Sequence, residues 1–320
     1  MAITGLSARN IGYTGIERDF VLNLIALQGS EIFELFSLAN TVRVNARGNR
    51  VDLCSIVNAK SGACPEDCSF CPQSAHSGAN VETYPLSGKG EILDAAIKAK
   101  SLGVKRFCVV TSGKKVSAKE LDAICGFVSG IRKIGLLPCA TLGMLTASEL
   151  KDLKDAGLHR YHHNLETSEA FFSEICTTHT YREKVKTIEA AKSIGLSICS
   201  GGIFGLGESW RDRIDMAFAL KDIGVDSVPV NFLSPVPGTP LGGRQHLSPI
   251  EALKIIAVYR LILPACEVRV CGGRHSTLRD LVSHIFTAGA DGMLIGNYLT
   301  TVGRNPVDDL QMIKDLELEL

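Results

Sequence analysis

Short apolar segments alternate with longer amphipathic segments along most of the chain. The short segments are rich in β-branched residues and typical of buried strands, whereas the longer ones repeat apolar positions at helical spacing. The predicted strands are Val51–Val57, Arg106–Thr111, Leu136–Leu142, Leu158–Leu165, Leu196–Phe204, Val225–Phe232, Cys266–Cys271 and Gly292–Gly296. The predicted helices are Gly90–Leu102, Ala118–Ile134, Ala147–Ala156, Tyr181–Ile194, Ser209–Ile223, Pro249–Leu263, Thr277–Ala288 and Asp308–Leu316. Residues 14–48 are also predicted to be helical, within an N-terminal extension over residues 1–48 that caps the main domain.

Glycine and hydroxyl residues mark the joints between these segments. A glycine that ends a helix in the left-handed conformation is expected at Gly103, Gly135, Gly157, Gly195, Gly224 and Gly289. Helix N-caps are expected at Ser117, Thr146, Ser209 and Ser248. Eight strands alternating with eight helices predict an α/β fold, a (β/α)8 TIM-type barrel, as one domain over residues 1–320. A doubly wound open sheet has the same alternation and remains the alternative.

Composition limits the classes of function. Hydrophobic residues make up 45% of the chain and charged residues 21%, which is ordinary for a globular protein. The net charge of +0 gives no electrostatic reason to expect a nucleic-acid partner. No apolar segment has the length of a membrane span, and the N-terminus lacks an apolar signal core. We therefore expect a cytoplasmic protein whose 11 cysteines are reduced and available to metal.

Three cysteines lie close together after the first predicted strand, at the end of a barrel that carries active sites. Cys64, Cys68 and Cys71 have the spacing C-x3-C-x2-C, and so short a loop brings their thiols to one point. Thiolates select iron–sulfur clusters, zinc or copper(I). Since a structural zinc site usually has four ligands, three thiolates favour a four-iron cluster with one iron open to a small molecule. A zinc site completed by His76, a disulfide and unrelated buried thiols are the alternatives.

Four further cysteines come one each from the second, third, fifth and seventh predicted strands: Cys108, Cys139, Cys199 and Cys271. Any one of them alone would be best explained as a small core residue. Alternate residues of barrel strands point inward, so the four thiols could instead meet inside the barrel. The remaining thiols show no comparable arrangement and are expected to be structural: Cys54, Cys125, Cys176 and Cys266.

Two polar or glycine-rich segments close predicted strands on the same face. Residues 161–166 read YHHNLE, and their position favours a contact with substrate or cofactor over a simple polar strand end. Residues 201–208 read GGIFGLGE and are explained most simply as a tight turn. This turn lacks the lysine of a P-loop, so nucleoside triphosphate binding is not supported.

The three-cysteine loop resembles the signature of radical S-adenosylmethionine (SAM) enzymes, with Phe70 as its aromatic residue. The longer segment 62–74, GACPEDCSFCPQS, resembles the biotin synthase family in particular, and the resemblance runs from about residue 48 to about residue 305. It implies a [4Fe–4S] cluster on Cys64, Cys68 and Cys71 whose open iron binds SAM. It also implies a sulfurtransferase that inserts sulfur from an auxiliary cluster into dethiobiotin.

The same resemblance assigns the strand cysteines. The segments holding Cys108, Cys139 and Cys199 resemble those that supply three ligands of the family's auxiliary [2Fe–2S] cluster, and Arg269 falls on the arginine ligand. The chain departs from the family by placing Cys271 two residues beyond Arg269, on the same side of a strand. Cys271 could therefore complete four thiolates, the usual ligand set of a four-iron cluster.

Contacts with SAM and substrate are also implied by the resemblance. SAM contacts are implied for Phe70, Asn164, Glu166, Lys184, Gly201 and Ile203, and dethiobiotin contacts for His162, Asn164 and Asn231. The family has asparagine, aspartate and arginine where this chain has His162, Glu166 and Lys184, and arginine and lysine bind carboxylates differently.

Partners implied by the resemblance are an electron donor such as flavodoxin or ferredoxin, iron–sulfur assembly proteins and a second copy of the chain in a homodimer. The alternatives are another biotin synthase-like radical SAM enzyme, such as a maturase or mutase, and a non-catalytic iron–sulfur redox sensor.

Overall fold

The computed structural model describes residues 11, 12 and 14–320, so the part of the N-terminal extension formed by residues 1–10 and 13 lies outside the described residues. The strands are β1 Asp52–Lys60, β2 Arg106–Thr111, β3 Leu137–Thr141, β4 Arg160–His162, β5 Ser197–Cys199, β6 Gly202–Phe204, β7 Ser227–Phe232, β8 Glu267–Val270 and β9 Gly292–Leu294. The helices are α1 Arg18–Ile25, α2 Glu31–Arg47, α3 Lys89–Ser101, α4 Ala118–Ile134, α5 Ala147–Asp155, α6 Tyr181–Ser193, α7 Trp210–Ile223, α8 Pro249–Ile262, α9 Arg274–Leu278, α10 His284–Thr287 and α11 Pro306–Asp315.

The strands form one closed parallel sheet. Their order is β5-β4-β3-β2-β1-β9-β8-β7-β6, and β5 also pairs with β7, which joins the two ends of the sheet. Strands β5 and β6 are two halves of the predicted fifth strand, separated by Ser200 and Gly201. The sheet therefore has eight strand positions, which confirms the (β/α)8 barrel and excludes the open sheet.

The predicted joints are confirmed. All six glycines expected to end helices have positive φ, from 70° at Gly224 to 105° at Gly157, a conformation that favours glycine. The side chains of Ser117, Thr146, Ser209 and Ser248 each accept a hydrogen bond from a backbone N–H in the first turn of the following helix. These caps fix where each helix begins and thereby aim the loops at the open end of the barrel.

The described helices of the N-terminal extension pack on one side of the barrel. Within the predicted helical segment 14–48, Arg18–Ile25 (α1) and Glu31–Arg47 (α2) are helical, whereas residues 14–17, 26–30 and 48 are not. Both helices pack against α8, and the buried apolar side chains include Val21, Leu24 and Leu35. Because α8 lies between these helices and the barrel, nearly all of its residues are buried.

Two further predicted elements differ from the structure. The helix predicted over Thr277–Ala288 is wrong: the segment contains the end of α9, a 3-10 turn at Arg279–Leu281 and α10, and Arg279 has a φ of 52° that ends α9. The fourth strand is shorter than predicted because residues 163–166 leave the sheet. The N–H groups of His163, Leu165 and Glu166 bond the Cys199 and Gly201 carbonyls, which turns the polar segment into the open end of the barrel.

In the part of the chain that the structure describes, none of the helices combines the length and apolar character needed to cross a membrane.

Candidate active site at the open end of the barrel

A cavity of about 430 Å³ lies inside the carboxyl end of the barrel. It is lined by the cysteine loop after β1 and by inward-facing residues of the strands. The predicted site residues that line it are Phe70, Cys71, Cys108, Cys139, His162, Asn164, Glu166, Lys184, Cys199, Ile203, Asn231, Arg269 and Cys271. The closure of the barrel thus brings together residues as far apart in the sequence as Phe70 and Cys271.

The cysteine loop is folded by its own backbone. The N–H of Cys64 bonds the Gln73 carbonyl at 3.0 Å, the Cys64 carbonyl accepts the N–H of Ala75 at 2.7 Å, and the N–H of Cys71 bonds the Cys68 carbonyl at 3.0 Å. All three thiols are free and half-buried. Burial raises the pKa of Cys71 to about 11. The loop therefore places the Cys71 thiol at the rim of the cavity, and the convergence of all three thiols stays a prediction.

His76 does not extend the three-cysteine loop into a four-ligand zinc site. Its Nε2 lies 3.0 Å from the Pro65 carbonyl. Among the described residues, the side chains grouped closely enough to hold a metal ion with a loop thiol are Cys176 and His179, beside Cys68.

The four strand thiols lie deeper in the barrel. Cys108 is directly opposite Cys139 in the β2–β3 pair, Cys199 ends β5, and Cys271 directly follows β8. All four are free and buried. Burial raises the pKa of Cys139 to about 12, an effect that the nearby charges of Arg160 and Arg106 oppose. The four thiols thus converge on one cavity, which isolated core cysteines would not be expected to do.

A fifth thiol, Cys54 on β1, also lines the cavity. It lies in hydrogen-bonding contact with Cys271, which lowers the pKa of Cys54 to about 7. Cys54 was expected to be structural. The alternation of β1 indicates otherwise, because Cys54 and Ile56 are two residues apart and both line the cavity.

The Arg269 guanidinium is hydrogen-bonded to Asp52 and Glu267 below the thiols. Its Nη2 donates to Asp52 Oδ1 at 2.7 Å and to Glu267 Oε2 at 3.0 Å, and its Nη1 donates to the Asp52 carbonyl at 3.1 Å. Burial opposes the charge on Arg269, but Cys54, Asp52 and Glu267 outweigh it and raise the pKa of the guanidinium. The charged form has no lone pair to give to a metal.

Buried charges surround the floor of the cavity. Glu267 accepts hydrogen bonds from Arg160 and Arg106 as well as from Arg269. Burial opposes ionisation of Glu267, but these three arginines lower the pKa of its carboxyl group. Three guanidiniums face two carboxylates, Glu267 and Asp52, so the floor has a net positive charge. Free thiols beside excess positive charge suit an anionic iron–sulfur cluster.

A row of hydrogen-bonded polar side chains crosses the cavity between the loop cysteines and the strand cysteines. His162 Nδ1 lies 2.7 Å from Thr141 Oγ1, and its Nε2 lies 2.8 Å from Asn164 Oδ1. The Asn164 amide donates to Glu166 Oε2 at 3.3 Å. Burial lowers the pKa of His162 to about 4, so its ring is neutral at pH 7. Because Asn164 Oδ1 can only accept, the neutral ring donates from Nε2 to Asn164 and accepts at Nδ1 from the Thr141 hydroxyl. The direction of each hydrogen bond in the row is therefore fixed.

The row of polar side chains ends on a buried ion pair. Lys184 Nζ lies 3.9 Å from Glu166 Oε1. Burial raises the pKa of Glu166, and the charge of Lys184 opposes that rise. Glu166 has a φ of 73°, and its carbonyl accepts the N–H of Ile203 at 2.9 Å. This unusual backbone conformation presents the carboxylate to the cavity.

Gly201 and Asn231 have structural roles that their motifs did not reveal. A Cβ on Gly201 would lie 2.2 Å from the Pro229 carbonyl oxygen, so the position requires glycine for backbone packing. The amide of Asn231 donates to the Gly202 carbonyl at 3.1 Å and accepts from the Gly272 N–H at 2.9 Å. Asn231 still lines the cavity, and its amide ties β7 to the segments after β5 and β8.

Cys176 is one of the four thiols that the sequence predicts to be structural. It lies in the loop before α6, and its Sγ is 3.8 Å from Cys68 Sγ. The contact lowers the pKa of Cys176 and raises that of Cys68. Nothing in the spacing of the sequence links two residues 108 positions apart.

A parallel barrel with three thiols in its first strand-to-helix loop is the architecture of a radical SAM enzyme. Residues 59–220 match the Radical SAM superfamily, and residues 229–319 match the Biotin and Thiamin Synthesis associated domain. The chain is 52% identical to the biotin synthase of Thermodesulfovibrio yellowstonii over 92% of this chain and 93% of that protein. It is 49% identical to the biotin synthase of Pelotomaculum thermopropionicum over 96% and 97% of the two chains. The chain belongs to the biotin synthase family.

Similar solved structures support the fold alone. Methylornithine synthase (PylB) matches with a TM-score of 0.83 at 20% identity, covering 99% of this chain and 95% of that one. HydG, a maturase of the [FeFe]-hydrogenase, matches with a TM-score of 0.81 at 16% identity over 96% and 72% of the two chains. The barrel is thus shared with a maturase, while the close sequence relatives are biotin synthases.

Proposed function

We propose that this radical SAM sulfurtransferase converts dethiobiotin to biotin by inserting sulfur between two carbons that carry unactivated C–H bonds. The single cavity carries the proposal, because Cys71 lies at its rim, the strand thiols lie at its floor, and His162, Asn164 and Asn231 lie between them. A substrate held in the middle would face a radical source on one side and a sulfur source on the other. Identity of about 50% to biotin synthases over nearly the whole chain supports the same substrate.

Cys64, Cys68 and Cys71 would hold the [4Fe–4S] cluster. When bound, this cluster and SAM supply a radical that can remove a hydrogen atom from an alkyl carbon, which no acid or base in the cavity can do. The chain's own contribution is to orient the reactants and to exclude water. Phe70 and Ile203 give the cavity apolar wall beside the loop, as that role requires.

The buried ion pair supplies polar contacts for SAM. Glu166 offers carboxylate oxygens to ribose hydroxyl groups, and Lys184 offers a positive charge to the SAM carboxylate. The Asn164 amide lies between Glu166 and His162 and borders both the SAM and the dethiobiotin sides. Gly201 supports this arrangement from behind, since its N–H donates to Asn164 Oδ1 at 3.2 Å.

The auxiliary cluster is proposed to be of the four-iron type, held by Cys108, Cys139, Cys199 and Cys271. The family pattern would use Arg269 and a [2Fe–2S] cluster instead. Two observations favour Cys271: its thiol lines the cavity, and the Arg269 guanidinium is bonded to Asp52 and Glu267. Thiolate is also the stronger ligand for iron. Because Cys54 touches Cys271, Cys54 is the competing thiolate.

Several partners follow from this reaction. Radical generation needs one electron at a time, so we propose a flavodoxin or a ferredoxin as donor. Sulfur taken from the auxiliary cluster has to be restored, so we propose that iron–sulfur assembly proteins act on the chain. The proposal includes a homodimer in the cytoplasm, in keeping with thiols that are all free in the structure.

An anaerobic assay tests the function. The reconstituted protein is incubated with SAM, dithionite as reductant and dethiobiotin, and 5′-deoxyadenosine and biotin are quantified. Biotin formed together with 5′-deoxyadenosine is the expected result. Formation of 5′-deoxyadenosine without biotin would instead assign the chain to another radical SAM reaction, and the absence of 5′-deoxyadenosine would indicate a redox sensor.

A further inference from the structure

The loop before α6 places a thiol and an imidazole beside the cysteine loop. Cys176 Sγ lies 3.8 Å from Cys68 Sγ, and the two ring nitrogens of His179 lie 3.2 and 3.7 Å from Cys176 Sγ. Cys176 and His179 are buried. The Ser69 N–H bonds the Ile175 carbonyl at 2.9 Å, which fastens the two loops together. Neither Cys176 nor His179 has a role in the reaction proposed above.

These distances are those of a metal-binding site. Two sulfurs that each lie about 2.3 Å from a tetrahedral ion are about 3.8 Å apart, and a sulfur and a nitrogen are about 3.6 Å apart. The spacing of Cys68 and Cys176, and that of Cys176 and His179 Nε2, match these edges. One ligand atom from each residue lies within 4.8 Å of the others. An ion could therefore enter with little movement of the side chains.

Neighbouring residues hold the proposed ligands in place. Glu66 Oε2 makes a short contact with His179 Nδ1 and leaves Nε2 for an ion, the arrangement in which a carboxylate orients a metal-binding histidine. Asp67 Oδ1 lies 3.2 Å from Cys176 Sγ and accepts the N–H of Thr177 at 2.9 Å. Asp67 thus helps to hold the loop that carries Cys176. Phe172 packs edge-on against the His179 ring, with centroids 5.6 Å apart.

We propose that Cys68, Cys176 and His179 bind one thiolate-seeking divalent metal ion, ferrous iron or zinc, when the loop holds no cluster. Binding would transfer the two thiol protons to solvent and form two metal–sulfur bonds. Because Cys68 is shared, the ion and the cluster exclude each other. Ferrous iron at this site is a starting point for cluster assembly, whereas zinc blocks it. The binding itself does not depend on the proposed function, and only the competition with the cluster rests on it.

Cobalt(II) is the probe, because tetrahedral thiolate ligation gives it distinctive visible and near-ultraviolet absorption. The cluster-free chain is prepared anaerobically with Cys64→Ser and Cys71→Ser, so that the loop alone cannot supply three thiolates. Titration with cobalt(II) is expected to give the absorption bands of a tetrahedral ion. These bands should be lost when Cys176→Ser or His179→Ala is introduced as a third substitution. Cys125→Ser, a thiol on α4 away from the loop, is the matched control and should leave the bands unchanged.

Bands that persist in full after Cys176→Ser would place the ion on other thiols, such as those of the barrel, and would overturn the proposal. X-ray absorption of the zinc-loaded chain with all its cysteines provides a measurement that needs no substitution. Two sulfur and two nitrogen or oxygen ligands are expected, while three or more sulfurs would refute the site.

The two ions are then compared by adding sulfide and ferrous iron to each loaded form. Preloaded zinc should slow cluster formation at least several-fold in the wild type but not in Cys176→Ser, and preloaded ferrous iron should not slow it. Equal inhibition by zinc in both chains would contradict the shared role of Cys68 and Cys176. Cluster content is read by absorbance and iron analysis, so a failure of biotin synthesis would not be mistaken for a failure of metal binding.

Discussion

The two groups of thiols at the ends of the cavity are positioned by different means. Cys64, Cys68 and Cys71 lie within eight residues of one loop, and hydrogen bonds inside that loop hold its shape. Cys108, Cys139 and Cys199 lie on three strands, and only the register of the sheet aligns them. The loop thiols are half-exposed, whereas the strand thiols are buried over a floor of arginine residues.

Only the loop site can vary independently of the fold. A loop site can be altered with little effect on the barrel, because few of its side chains belong to the core. A site made by strand register shares its residues with the core, so a change there affects ligands and packing together. Cys54 and Cys271 belong to the second site, since both line the cavity.

The largest expected effect separates the two groups by product. Cys71→Ala should abolish both 5′-deoxyadenosine and biotin, because the loop would keep only two thiolates for the radical cluster. Cys139→Ala should retain 5′-deoxyadenosine formation and lose biotin, because only the sulfur source is damaged. Both products are measured in one anaerobic assay, with Cys125→Ala as control. Retained 5′-deoxyadenosine in Cys71→Ala, or retained biotin in Cys139→Ala, would show that the two groups do not have separate roles.

The next effect concerns the size of the deeper cluster. Two four-iron clusters give about eight irons per chain. We expect that content in the wild type, roughly two or more fewer irons in Cys271→Ser, and no loss in Cys54→Ser. Iron and sulfide analysis with Mössbauer spectroscopy of anaerobically purified protein measures this. About six irons in all three chains would leave Arg269 as the fourth ligand, and a loss confined to Cys54→Ser would assign the fourth position to Cys54.

The smallest expected effect is on the pH dependence of stability, and it tests His162 in the row of polar side chains between the loop cysteines and the strand cysteines. Burial lowers the pKa of His162 to about 4, below the ~6.5 of an unfolded histidine. The unfolded chain therefore binds more protons between these values, and the contribution of His162 to stability is complete above about pH 6.5 and is lost as the pH falls toward 4. At pH 5.5 this loss is about 1 kcal/mol.

Urea unfolding of the cluster-free chain at pH 7.5 and 5.5 measures the loss. His162→Asn carries the family's residue and should reduce the dependence on pH by that amount. Burial also lowers the pKa of His163, but His163 is present in both chains and cancels in the comparison. An equal dependence on pH in the two chains would mean that His162 is not the buried neutral group described here.

Much of the architecture was predictable because its causes are local. The alternation of segments, the glycines that end helices and the N-cap residues each depend on a few neighbouring residues, and the structure agrees with them. The cysteine loop was predictable for the same reason, since eight residues cannot keep three thiols apart. The broken helix after Arg274 was not, because its apolar spacing resembles a continuous helix and the break depends on the conformation of Arg279.

The tertiary structure decided which side chains meet. Arg269 is paired with Asp52, 217 positions away, and Cys68 touches Cys176, 108 positions away. The sequence offers Arg269 and Cys271 on one face of a strand but does not reveal that carboxylates already hold the arginine. The sequence likewise does not reveal that Cys54 contacts Cys271. Contacts of this kind arise only when the barrel closes, because strand register and loop packing, rather than spacing along the chain, set the distances between those atoms.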